Sequence, residues 1–213
     1  MDDAEARERI AGAAEDLYYR KGFSAVGMDE IRSSAGVSLR RLYALFPSKD
    51  AVITEVLARR HAQWERGLAE QVSQAGNDTR RRLLAVFDYL DGWFRDPAFR
   101  GCAFINAFGE LGGTRSHVAA IVRDHKASFQ QCMTELVRTA GGSELLAAQL
   151  SILAEGAQST AAIGEDPSSA AQARLAAEVL IAHETSREAG GTQAESTRHE
   201  SAEFDPNKPC APE

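Results

Sequence analysis

Apolar residues recur at helical spacing along almost the whole chain. Ile10, Ala13, Ala14 and Leu17 fall on one face, which predicts a first helix over about Asp3–Lys21 with Gly22 as its stop. The pattern continues with a short helix near Met28–Ala35, a break at Gly36, and a third helix that Ser38 caps and that ends near Phe46. Pro47-Ser48 breaks the chain again, and Ser48 opens a long helix over about Lys49–Gln74. Gly76-Asn77-Asp78 marks the next turn. Further helices are predicted over Thr79–Asp96, Ala103–Leu111, Arg115–Ala140, Ser143–Gly164 and Ser168–His183, parted by Asp96-Pro97, Gly112-Gly113, Gly141-Gly142 and Asp166-Pro167. Alternating β-branched and polar runs are absent, and no fixed-period repeat is visible. The pattern therefore predicts an all-α protein, a three-helix head joined through a long helix to a larger helical body.

Residues 184–213 break this regularity. They hold one large apolar side chain, Phe204, among Gly, Ser, Thr, Pro and charged residues. Such a stretch cannot bury enough apolar surface to offset its ordering entropy, so a disordered tail is expected there. The divisions expected are thus a head over 1–50, a body over 51–183 and the tail.

Composition adds limits. The chain has 213 residues, 44% hydrophobic and 26% charged, which is an ordinary globular balance. The charged segment 1–10 has no apolar stretch of a secretory signal, and no apolar run is long enough to span a membrane, so a cytoplasmic location is expected. Cys102, Cys132 and Cys210 are few, odd in number and widely spaced, which gives neither a disulfide framework nor a zinc pattern. The net charge of −7 argues against a surface that coats nucleic acid everywhere. It leaves room for a local basic patch.

That patch exists. From Arg20 to Lys49 there are six basic residues (Arg20, Lys21, Arg32, Arg40, Arg41, Lys49) against Asp29 and Glu30, a local charge of +4. In the same stretch two short helices flank Ala35-Gly36-Val37, and Ile31, Val37, Leu42 and Phe46 are spaced to pack the pair on the first helix. This is the layout of a helix-turn-helix, whose second helix enters the major groove of DNA.

At these residues the sequence resembles the tetracycline-repressor (TetR) family of bacterial transcription regulators. The resemblance runs through Ile10, Ala13, Leu17, Tyr18, Gly22 and Phe23 to Asp29-Glu30-Ile31, Ala35-Gly36-Val37-Ser38, Leu42-Tyr43, Phe46, Lys49 and Asp50, roughly the first 55 residues. It implies that Tyr43 and Lys49 meet the DNA backbone, that Leu39, Arg40 and Arg41 face bases, and that Ser38 caps its helix and touches phosphate. The sequence departs from the family's pattern at Gly27, which stands for a capping Thr or Ser. Arg32 stands for an alanine and is offered as an additional phosphate contact, and Leu45 replaces an aromatic residue or histidine.

The resemblance also assigns the body. The last two helices would form a homodimer interface, with Leu146, Leu150, Leu153 and Ala157 on one helix and Leu175, Val179 and Ala182 on the other, against the simpler reading of an intrachain core. A two-fold protein presents recognition helices about 34–36 Å apart and so reads a palindromic operator. The middle helices would enclose a pocket for a small, largely apolar effector, with Trp93, Phe104, Asn106, Phe108, Phe129 and Met133 as candidates; for most of the aromatics an ordinary core role competes. The function that follows is a repressor released from DNA by its effector.

Other chemistries are weighed beside it. His117 and His125 lie eight positions apart, about 12 Å along a helix, too far for one metal ion. No metal or cofactor is expected. An all-α enzyme built on Glu110, His117, His125 and Cys102 lacks a nucleophile–base motif, a phosphate loop and a metal spacing. A thiol-responsive regulator acting through Cys102 is the remaining alternative, against a buried and inert cysteine. The Arg80-Arg81-Arg82 run reads as a solvated helix start without a functional role.

Overall fold

The computed structural model describes the backbone of residues 1–191 and the side chains of residues 1–184. Among the described residues there are nine helices and no strand: α1 (Asp3–Lys21), α2 (Met28–Ala35), α3 (Leu39–Leu45), α4 (Lys49–Gln74), α5 (Thr79–Phe94), α6 (Ala103–Leu111), α7 (Ser116–Thr139), α8 (Glu144–Gly164) and α9 (Ser169–Gly191). None of these helices is long and apolar enough to cross a membrane. The last helix continues beyond His183 to Gly191. Most of the expected disordered tail, Cys210 included, lies outside the described residues.

The helix ends follow the residues that favour them. Asp2, Ser38, Asp78 and Ser143 each accept a backbone N–H of the first turn of the helix that follows. Gly27 precedes α2 with no side-chain cap, as its missing hydroxyl requires. Gly36 adopts φ 65° and ψ 37°, the left-handed conformation that ends α2, and its N–H bonds back to Ser33 O. Ser48 Oγ accepts from Ala51 N at 3.1 Å at the start of α4.

The chain divides into two compact units. The first comprises residues 1–64 and 102–125, so α6 and the start of α7 join the head and the first part of α4. The second comprises residues 65–101 and those from Lys126 onward. In the first, α1 packs on α2 and α3 around Ile10, Ala14, Leu17, Ile31, Leu42 and Phe46, all buried. Arg7 ties three helices together: Nη1 donates to Leu45 O at 2.8 Å, Nη2 meets Glu55 Oε2 at 3.2 Å, and the guanidinium lies 4.5 Å from the Phe46 ring centroid.

In the second unit α8 and α9 pack on each other and on α5. Arg174 of α9 joins Asp88 of α5 at 2.8 Å and also contacts Glu178. Arg82 is buried, and its Nε donates to Gly76 O at 2.7 Å. One member of the arginine run therefore holds the α4–α5 turn rather than facing solvent.

The apolar face of α8 differs from the one expected at a subunit interface. Leu146, Leu150 and Ala157 are buried inside the single chain. Leu145, Ile152 and Ile163 project instead, Ile152 at 71% and Ile163 at 86% exposure, and on α9 Leu175 and Val179 do the same. Leu145, Ile152 and Ile163 are 7 and 18 positions apart, which returns them to one side of a helix with 3.6 residues per turn. An alanine-rich helix is apolar on two faces, and periodicity does not say which one meets the rest of its own chain.

Candidate nucleic-acid interface

The interface is built from the α2–turn–α3 unit. Leu42 and Phe46 anchor α3 from beneath, and Val37 in the turn is also buried. On a helix of only two turns, burying Leu42 leaves the neighbouring positions outward. Leu39 is 44% exposed and Tyr43 is 46% exposed, and Arg40 is exposed between them. A large apolar side chain, a phenol and a guanidinium therefore share the free face of α3. Ser38 Oγ is engaged by Arg41 N at 3.2 Å, in keeping with its capping role.

The other basic candidates have protein partners. Arg32 Nε donates to Asp29 Oδ1 at 2.9 Å, one turn earlier on α2. Arg41 Nη2 meets Asp3 Oδ1 at 2.8 Å and the Met1 carbonyl oxygen at 3.2 Å. Lys49 Nζ donates to Ser24 O at 3.2 Å and sits 6.0 Å from the Tyr18 ring centroid. Burial holds the Lys49 ammonium below its usual range, with Arg115 adding to the effect and Glu110 opposing it.

The loop between α1 and α2 is fixed from α6. Glu110 accepts Phe23 N at 3.1 Å and Ser24 N at 2.7 Å. Gly22, at φ 89°, permits this approach: a Cβ there would lie 3.0 Å from both Glu110 carboxylate oxygens. Nearby, Arg115 pairs with Asp50 Oδ1 at the start of α4, and His117 Nε2 lies 3.8 Å from Asp50 Oδ2. Below the loop, Tyr18 stacks on Phe23 at 4.9 Å, and burial pushes its phenol well above the usual range.

Sequence reasoning did not find His61. Its Nδ1 lies 2.9 Å from Nδ1 of His125, joining α4 to α7, and Phe104 stacks on the His125 ring at 3.5 Å while Trp64 meets it edge-on at 5.1 Å. His125 and His117 thus have separate surroundings. Among the described residues no group of three or more His, Cys, Asp or Glu side chains is arranged to hold a metal ion.

The effector candidates fall in both units. Phe104, Asn106 and Phe108 lie on α6, with Phe104 buried and Phe108 about half exposed. Trp93, Phe129 and Met133 belong to the other unit, where Phe129 and Met133 are buried one turn apart on α7 and Trp93 meets Phe99 edge-on at 5.2 Å. Cys102 is buried at the start of α6.

Residues 10–56 match the family model of bacterial regulatory proteins of the tetR family. Over these residues the chain is similar to the TetR family. Its fold is that of a TetR-family transcriptional regulator from Streptomyces coelicolor, with a TM-score of 0.75 and 29% identity over 85% of this chain and 97% of that one. The reduced form of NemR from Escherichia coli shares the fold, with a TM-score of 0.72 and 20% identity over 81% and 94%. By sequence, the HTH-type transcriptional repressor NemR of E. coli K12 is 26% identical over 108 residues, 50% of this chain and 54% of that protein. The HTH-type transcriptional activator FasR of Mycolicibacterium smegmatis is 35% identical over 91 residues, 41% of each. The chain spans about half the length of the curated relatives it matches. These relatives are named as transcriptional regulators. TetR-family regulators bind DNA, and they typically dimerise and bind small-molecule effectors.

Proposed function

We propose that this chain is a cytoplasmic, homodimeric TetR-family transcriptional repressor that binds a palindromic operator and is released by a small, largely apolar effector. The observation that carries the reading is the free face of α3, where Leu39, Arg40 and Tyr43 stand outward from a helix anchored by Leu42 and Phe46. Each side chain suits one feature of duplex DNA. A guanidinium fits guanine O6 and N7, an apolar side chain fits the thymine methyl, and a phenol donates to phosphate. Lys49, Arg32 and Ser38 add backbone contacts at the edges of this face. Phosphate replaces the present acceptors of Lys49 and Arg32 when DNA is bound, while Ser38 keeps its cap on Arg41 N and donates its hydroxyl hydrogen to phosphate.

Dimerisation is assigned to the exposed apolar face of Leu145, Ile152, Ile163, Leu175 and Val179, with a second copy of the chain as its occupant. The family's habit of dimerising and the two-fold reading of a palindrome both support this choice. A small-molecule effector is part of this reading because regulators of the family typically bind one. Its binding favours a spacing of the two heads that does not match successive major grooves. Such a ligand shifts the equilibrium only by its differential affinity for the two spacings.

Selection of bound duplexes from a random pool tests the central reading. Recovery of a palindrome whose half-sites lie about one helical turn apart, or a multiple of it, supports it. Failure to retain any duplex at low salt overturns it.

A further inference from the structure

Met1 and Asp3 lie against the recognition helix. Asp2 Oδ1 accepts Glu5 N at 2.8 Å, so the cap of α1 fixes the backbone that carries Asp3. From there Asp3 Oδ1 reaches Arg41 Nη2 at 2.8 Å, and the same nitrogen donates to Met1 O at 3.2 Å. Met1 Sδ in turn accepts from Arg9 Nη1 at 3.6 Å. The Asp3 side chain is 79% exposed while that of Arg41 is 34% exposed. Arg40, the preceding residue, has no ion pair of this kind among the described residues.

We propose that Asp3 is a specificity-determining residue for DNA recognition: it occupies Arg41 until an operator base displaces it. The inference rests on the DNA-binding reading above. A guanidinium whose Nη2 is held by a carboxylate cannot give the same N–H to a phosphate or a guanine. DNA must therefore release the pair before Arg41 engages. A single phosphate on arbitrary DNA returns little beyond what the carboxylate already gives, since both are single-point anionic contacts. A guanine that takes two parallel N–H bonds returns more. The acidic arm thus weakens binding to arbitrary duplex more than binding to the operator, which is discrimination by an opposing contact.

The test uses the full chain and a fluorescein-labelled 30-base-pair duplex of scrambled sequence, read by fluorescence anisotropy between 50 and 200 mM KCl. Asp3→Asn is compared with the unaltered protein, with Arg41→Ala and with the double variant. Glu5→Gln controls for loss of a neighbouring negative charge. Asp3→Asn binds this duplex roughly two- to fivefold more tightly, and its plot of log affinity against log salt steepens by about one unit. Asp3→Glu keeps the pair and behaves as the unaltered protein. In the Arg41→Ala background the Asp3→Asn gain disappears, and Glu5→Gln gives a smaller gain with no change of slope.

Three results overturn the inference alone: Asp3→Asn with unchanged affinity and slope, a gain that persists without Arg41, or a Glu5→Gln gain of equal size. If neither the unaltered protein nor any variant binds duplex at the lowest salt, the DNA-binding reading itself falls.

Discussion

Glu110 on α6 accepts the Ser24 N–H at 2.7 Å, so a carboxylate distant in sequence closes the loop that enters the helix-turn-helix. The same side chain also accepts Phe23 N. Replacing Glu110 with Ala leaves two backbone donors without their acceptor and is expected to cost about 1–2 kcal/mol of stability. Glu110→Gln keeps one oxygen acceptor and should lie between. Urea denaturation of the three proteins checks the order.

Gly36 holds φ 65° in the turn and faces the Arg9 guanidinium, 3.0 Å from where a Cβ would stand. Gly36→Ala is expected to destabilise by about 1–2 kcal/mol through the left-handed backbone. It should also lower DNA affinity, because the turn sets the angle of α3. Thermal unfolding and duplex binding measured on the same preparation separate the two effects.

Two neighbours on α3 should give different signatures. Tyr43→Phe removes a hydroxyl assigned to phosphate and should weaken selected and scrambled duplexes by the same factor. Arg40→Ala should cost about 1–3 kcal/mol on selected duplexes and much less on scrambled ones, relaxing preference at one base position. Parallel titrations with both duplexes decide between positioning and base reading.

The projecting face of α8 and α9 predicts the assembly. Ile152→Glu combined with Val179→Glu places charges where apolar side chains stand at 71% and 68% exposure. If this face joins two copies, sedimentation velocity shows the variant as a single-chain species while its helical circular dichroism is retained. A variant that sediments as the unaltered protein assigns the dimer elsewhere.

Acid should reveal the α1–α4 tie. The hydrogen bonds and charge of Arg59 hold the Glu8 carboxyl below its ordinary value, with both oxygens bonded at 2.5 and 2.6 Å. A carboxyl lowered on folding stabilises above its unfolded value, and that contribution is lost as pH falls through the folded one. Glu8→Gln lacks the contribution at neutral pH, so its stability should fall less steeply on acidification. Denaturation midpoints between pH 7 and pH 3 check this; parallel curves would refute it.

Local signals wrote much of the fold into the sequence. Ser38 and Gly36 mark the ends of α3 and α2 because capping and left-handed backbone are properties of single residues. The burial of Ile31, Val37, Leu42 and Phe46 follows from their spacing. What spacing does not carry is which distant side chains meet. Asp3 with Arg41, Glu110 with Ser24 and His61 with His125 are pairs made by packing between segments far apart in the chain. The exposed face of α8 escaped for a related reason: Leu145 and Leu146 are equally apolar, and only the position of α9 and α5 decides which is buried.

The two imidazoles that join α4 to α7 face each other through like atoms. With Nδ1 of His61 and Nδ1 of His125 at 2.9 Å, a single hydrogen occupies the line between them, given by one ring and taken by the lone pair of the other. A second hydrogen on that line has no acceptor to enter. The helix that follows the helix-turn-helix and the helix that carries His125 are thus fastened by a single hydrogen bond between two rings, and the fastening is monovalent by construction.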